Sequence, residues 1–184
     1  MATQAVATTA EELLKLPMGE GKRYELIEGE LQVMTPAGAE HGRVIFTASV
    51  LLGVHVRTTS SGVAFGAETG FVLASDPDTV RAPDAAYVTR AHADAVGRTK
   101  KFWPKAPDFA IEVISPGDSF NDVESKALSW IAAGTTALLV LDPDAHSATI
   151  YRAGGDIRSY ADGDDIDLSD AVPGWKVAVA DFFA

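Results

Sequence analysis

Hydrophobic and polar positions follow three different rhythms along the chain. From Glu40 to about Arg57 the spacing is helical, with Val44, Ala48, Leu51, Leu52 and His55 on one stripe. Arg23–Glu28 reads as a strand, and Gly29 turns it into a second strand over Glu30–Met34. Short strands are also predicted at 62–66, 70–74 and 84–89. Phe109–Ile114 and Ala137–Leu141 are mostly apolar runs, typical of strands buried on both faces. Between them Ser115-Pro116-Gly117-Asp118 breaks the first run. Asn121–Ala133 then reads as a helix, with Asn121 as N-cap and Gly134 as its stop. Its apolar row is Val123, Ala127, Trp130 and Ile131. A strand, helix and strand in succession imply a right-handed crossover between parallel strands. At the start, Thr9 and Glu12 have capping-box spacing for a short helix that Pro17 helps to end. Residues 90–105 read as irregular. Beyond the crossover, strands are expected at Thr149–Tyr151 and Ile157–Tyr160, then a Pro173-Gly174 turn and an apolar C-terminus. The order predicts an α/β (α+β) fold with a mixed sheet, flanking helices and an added antiparallel region, in one domain over 1–184.

Composition narrows the chemistry. With 184 residues, 47% hydrophobic and 22% charged, the chain can bury a core and has ordinary globular proportions. It has no cysteine, which excludes disulfide scaffolds, thiolate zinc sites and cysteine nucleophiles. No apolar run reaches membrane-span length, and Met1–Ala10 lacks the basic start and apolar stretch of a signal peptide. A soluble, cytoplasmic protein is expected. The net charge of −11 argues against tight, free-standing binding to nucleic acid, where counterion release by Lys and Arg supplies most of the affinity. It leaves room for a locally basic groove or for charge neutralised by metal ions.

Two carboxylates carry the candidate chemistry. If the strands around Asp84 and Glu112 are antiparallel neighbours, with Thr89 opposite Pro107, then Asp84 stands opposite Glu112 on the same face. Their Cβ atoms would be roughly 5 Å apart. A hard divalent cation relieves such repulsion, because magnesium takes one or two carboxylates and keeps water or phosphate oxygens. Solvent-facing strand residues are the bland alternative. Against it, Glu112 interrupts an otherwise apolar strand and needs a partner there. Lys126 lies on the helical row of Trp130, at the margin of the apolar face. Its ammonium either stabilises developing phosphate charge or is an ordinary surface lysine. Glu25 is either a third carboxylate of the site or a solvated hairpin residue. His41, at the start of the long helix, is either a base or phosphate contact or a satisfied polar residue, and receives no role.

Between the two acidic strands, Arg90, Arg98, Lys100, Lys101 and Lys105 stand against Asp94 alone, with Phe102 and Trp103 interleaved. The cations would grip phosphates and the aromatics would stack on bases. The bland reading is a solvated loop with its aromatics in the core or at a dimer contact. At strand rise this segment lies roughly 17 Å from the acids, suited to flanking duplex rather than to catalysis.

The segments Arg23–Leu31, Arg81-Ala82-Pro83-Asp84 and Pro107–Pro116 resemble those of the Uma-two family of "putative restriction endonucleases". So do Lys126 before Trp130 and Gly134, and Val140-Leu141-Asp142-Pro143. The likeness runs from about Thr9 to Phe183. It implies the PD-(D/E)XK nuclease fold and a metal ion, Mg2+ or Mn2+ in its place, on Asp84 and Glu112. That superfamily usually carries its lysine two residues after the second acid, where this chain has Ile114. In the resemblance Lys126 replaces it from the following helix, and Glu25 corresponds to an additional acid. The implied activity is hydrolysis of DNA phosphodiester bonds, with homodimerisation expected because a duplex has two strands to cut. Two other readings stay open: a catalytically idle nuclease fold acting as a binding module, and a metal hydrolase of small phosphoesters.

Overall fold

Short-range chemistry sets where the elements begin. The computed structural model describes residues 8–16, 23–36 and 38–184. Helix α1 (Ala10–Lys15) opens on a capping box in which the Thr9 hydroxyl accepts from the Glu12 N–H and Glu12 accepts from the Thr9 N–H. The helix stop expected at Pro17 lies outside the described residues. Strands β1 (Arg23–Ile27) and β2 (Glu30–Met34) form the expected hairpin. Its turn residues Glu28 and Gly29 both have positive φ, the geometry that matches strand twist in two-residue hairpins. Helix α2 (Ala39–Thr59) covers the long helical stripe. Then come β3 (Gly62–Gly66), β4 (Phe71–Ala74), β5 (Thr79–Arg81) and β6 (Ala85–Thr89), followed by α3 (Arg90–Val96). The crossover is β7 (Phe109–Val113), α4 (Phe120–Ala132) and β8 (Ala137–Asp142). The chain ends with β9 (Ser147–Arg152), β10 (Ile157–Ala161), β11 (Asp165–Asp167), β12 (Lys176–Ala178) and α5 (Ala180–Phe183).

Six strands make the central sheet in the order β10-β9-β8-β7-β6-β3, in which β7 and β8 run parallel and the other neighbours antiparallel. A second, antiparallel sheet has the order β2-β1-β5-β4, and β11 pairs with β12. The result is the expected mixed sheet with flanking helices. No helix among the described residues is long and apolar enough to cross a membrane.

The period of two along each strand sorts side chains between two cores. Tyr87, Phe109, Ile111, Leu139 and Ile150 face α2 and the C-terminal segment, meeting Val44, Ala48, Leu52, Trp175 and Phe182. Val88, Ala110, Leu138 and Val140 face the other way, onto Ala127 and Trp130 of α4 and onto Phe71 and Trp103. Each fully buried large side chain contributes roughly 1.5–3 kcal/mol. Both faces of the central strands are therefore dry, which explains why β7 and β8 read as apolar runs.

Two expectations need correction. The N-cap of α4 is Ser119, not Asn121: its hydroxyl accepts from the Asp122 N–H, and Asp122 accepts from the Ser119 N–H. The first part of 90–105 is helical (α3) rather than irregular. Strands β5, β11 and β12 have three residues each, too few for periodicity to register.

Candidate active site

The strand register brings the acids together. Ala85 pairs with Ile111, Ala86 with Ala110 and Tyr87 with Phe109, which is the register anticipated from sequence. One step further, the Asp84 N–H donates to the Ile111 carbonyl at 3.0 Å. Asp84 thus meets Glu112, and both share the face of Ala86, Val88 and Ala110, the face that α4 covers. Ala82 and Pro83 carry the chain directly from β5 in the small sheet to β6 in the large one, so the site sits where the two sheets join.

Each carboxylate is buried and held. Glu112 Oε1 accepts from the Trp130 indole N–H at 2.9 Å, and Oε2 accepts from Lys126 Nζ at 2.7 Å. Lys126 and Trp130 are four residues apart on one row of α4, so a single helix face supplies both donors. Asp84 Oδ2 accepts from the Val113 N–H at 2.8 Å; among the described residues no protein donor reaches Oδ1. Glu25 is 4% exposed rather than solvated. It accepts from Arg81 Nη1 at 3.1 Å and from the Ala82 N–H at 3.0 Å, so both its oxygens are engaged by the neighbouring strand. Glu25, Asp84, Glu112 and Lys126 line a cleft of about 410 Å³, with Arg23, His41, Asp118 and Asp122 around its walls.

The electrostatics are those of crowded acids in a dry place. Burial pushes Glu112 up to about 7; Lys126 opposes the shift, while Asp84 and Glu25 add to it. Burial also raises Asp84, against the Val113 N–H and the Lys126 charge. For Lys126 burial alone would lower the pKa, but Glu112, Glu25 and Asp84 together outweigh it and the ammonium is raised. Lys126 therefore stays charged, whereas burial holds both carboxyls above their ordinary range in spite of it.

Among the described residues, no three or more His, Asp or Glu side chains converge as a cage for a metal. Magnesium needs none, since one or two carboxylates complemented by water or substrate oxygens suffice. Asp84 and Glu112 fit that hard-oxygen set. Asp84 keeps Oδ1, and each Glu112 oxygen keeps a lone pair beyond the one its donor uses.

His41 and Trp130 belong to this site, although the sequence reading gave neither a role in it. His41 is 5% exposed, with Nε2 2.8 Å from the Val113 carbonyl oxygen and 3.9 Å from Asp84 Oδ2. It clamps the backbone of the residue that also donates to Asp84. An indole at Lys126 plus four, beneath a strand carrying one acid, was the available signal for Trp130. Ile114, at the superfamily's usual lysine position, is a partly buried packing residue.

The basic segment stays apart. Arg98, Lys100, Lys101 and Lys105 are exposed, and none lines the cleft. They follow α3 at the far end of β6, beyond Thr89. Trp103 is buried against Phe65 at 5.3 Å and exchanges backbone hydrogen bonds with Gly70 and Val72. That removes it as a base-stacking surface; Phe102 is half-buried against the core around Leu26.

The mixed sheet, the crossover helix and a site at the end of β7 define a restriction-endonuclease-like fold. It is similar to that of a "putative nuclease belonging to DUF820" from Anabaena variabilis ATCC 29413, with a TM-score of 0.80 and 23% identity, covering 95% of this chain and 97% of that one. The model of the Uma2 family, described as "Putative restriction endonuclease", matches residues 10–180, and the chain belongs to that family. No curated protein matches it.

Proposed function

We propose that this chain, as a single restriction-endonuclease-like unit over 1–184, hydrolyses DNA phosphodiester bonds with a magnesium ion, or manganese in its place, held by Asp84 and Glu112. The observation that carries this reading is the convergence of two buried carboxylates with an ammonium 2.7 Å from one of them, in a cleft open to substrate. A bound ion would polarise the phosphate and lower the pKa of the attacking water. Lys126 supplies a fixed positive charge for the negative charge that develops on phosphate. Trp130 and the Val113 N–H fix the two carboxylates, and His41 fixes Val113. Glu25 holds Arg81 against the cleft wall and adds to the negative field on Glu112. Arg98, Lys100, Lys101 and Lys105 suit phosphates of flanking duplex, and two copies would serve the two strands. The cysteine-free composition fits work in the cytoplasm.

The test is cleavage of plasmid and linear duplex by the purified chain. Cutting is expected in Mg2+ or Mn2+ and lost in EDTA or in Asp84→Ala. A folded Asp84→Ala protein that cuts as well as wild type would sink the assignment. The −11 charge favours a hydrolase of small phosphoesters as the second reading. Turnover of a small phosphodiester without DNA cleavage selects it, and ion binding without any turnover selects the idle binding module.

The raised Glu112 pKa gives the ion a pH dependence. An ion binds the ionised carboxylate, so below about 7 it must displace a proton. Mn2+ affinity, measured by calorimetry, is expected to rise by about tenfold per pH unit up to that point and then level off. Without an ion the sign is opposite for stability. The folded pKa lies above the ordinary value of 4.5, so Glu112's contribution is complete below 4.5 and is lost as pH climbs through about 7. A flat affinity profile across this window would remove Glu112 from the ion site.

A further inference from the structure

Helix α2 carries an outward face that an isolated protein would not be expected to show. Val44, Ala48, Leu52 and Val56 point into the core. On the opposite side Phe46, Val50 and Val54 repeat every four residues at 70%, 43% and 60% exposure. A helix lying on a sheet normally turns charged residues outward there. Between Arg43 and Arg57 this helix has no Asp, Glu, Lys or Arg at all, in a chain that is 22% charged. Gly42 and Gly53 flank the stripe, and a Cβ built on either meets nothing within 4 Å, so another backbone can approach closely.

The patch continues sideways. Ser49, Gly53 and Arg57 form one wall of a groove whose other wall is β3, the edge strand of the central sheet. Its residues Gly62-Val63-Ala64-Phe65-Gly66 include none of the charges or prolines that commonly protect an edge. The other edge, β10, carries Arg158. Arg90 covers the Gly62 carbonyl at 3.2 Å. A stable dimer needs on the order of 1,000 Å² of buried surface, more than three side chains supply, and the groove extends the stripe toward that area.

The geometry points to a second copy of this chain as the occupant, docked through α2 and the β3 edge about a twofold axis. Charge argues for self-association over a foreign partner. Two bodies of −11 each repel, and they can touch at least Coulomb cost where neither carries charge. A basic partner would instead seek the acidic remainder of the surface. The stripe is also self-complementary. With the axis at Val50 and the helices antiparallel, Phe46 of one copy meets Val54 of the other and Val50 meets its own equivalent. The same pairing sets Arg57 opposite Arg43 of the second copy, whose charge is already neutralised by its own Glu40 one turn away, and opposes the helix dipoles favourably.

Sedimentation of the purified chain at micromolar concentration tests this, and because it reads mass it stands apart from whether the chain cuts DNA. Wild type is expected at twice the chain mass. Val50→Glu and Phe46→Glu are expected at the chain mass with unchanged circular dichroism, because both side chains are exposed in the protomer. Leu128→Glu, at an exposed apolar residue of α4, should leave the dimer intact. For the antiparallel alignment, Glu40→Arg should weaken the dimer and adding Arg57→Glu should restore it. A monomeric wild type, or a Val50→Glu protein that still sediments as a dimer, overturns the inference.

Discussion

Glutamine in place of Glu112 is expected to abolish divalent-ion binding and to lower phosphodiester cleavage by on the order of a thousandfold, with the fold retained. The substitution keeps shape and one oxygen, so the Trp130 indole N–H retains its acceptor. It removes the charge that attracts the ion, and it turns an amide toward Lys126 Nζ, which can only donate. Stability should change little. Wild-type Glu112 is pushed up to about 7 by its burial, so near neutral pH the protein already carries a carboxyl that resists ionisation. A neutral isostere relieves that strain while costing the contact with Lys126. Calorimetric titration with Mn2+, a cleavage time course and a thermal melt measure the three quantities on one preparation. Cleavage persisting at the wild-type rate in a folded Glu112→Gln protein would dismiss the carboxylate pair as the catalytic centre.

The acid pair was legible because strand geometry is nearly digital. Side chains alternate with a period of two, so one correct register fixes which residues oppose and which face they share. Supposing Thr89 opposite Pro107 sets that register, and Ala85 opposite Ile111 bears it out. Helix rows are nearly as regular, which is why Lys126 and Trp130 could be assigned to one row without coordinates. What they touch was not legible, since it depends on how far α4 lies above β7. His41 shows the same limit. It approaches Val113 across 72 positions of sequence, a distance over which no local pattern carries information. Glu25 needed β5, whose three residues give no periodic signal, before its partner Arg81 became apparent. Trp103 makes the converse point. Its charged neighbours suggest an exposed binding loop, yet aromatic partners from β3 and β4 draw it into the core. Composition of a segment reports its average environment and not that of each side chain.

The tight contact between Lys126 and Glu112 predicts that ion binding and catalysis can be separated. In Lys126→Met the unbranched side chain still packs along Trp130, while the ammonium is gone. Glu112 loses a donor and a neighbouring positive charge, so its pKa rises further. Because it can take up a proton instead of remaining a bare buried charge, the loss of stability should stay at about 1–3 kcal/mol. An incoming divalent ion then no longer shares Glu112 with an ammonium held at 2.7 Å. At pH values above the raised Glu112 pKa, ion affinity is therefore expected to be retained or increased. Cleavage should nonetheless fall by roughly a hundred- to a thousandfold, since nothing else on α4 neutralises the charge that builds up on phosphate. Glu112→Gln loses both functions, and this contrast is the informative comparison. Single-turnover cleavage read beside Mn2+ titration decides it. Unchanged cleavage in Lys126→Met would reduce the lysine to a structural partner of Glu112. Loss of ion binding together with cleavage would mean that Lys126 orients the carboxylate for the ion and does not act on phosphate.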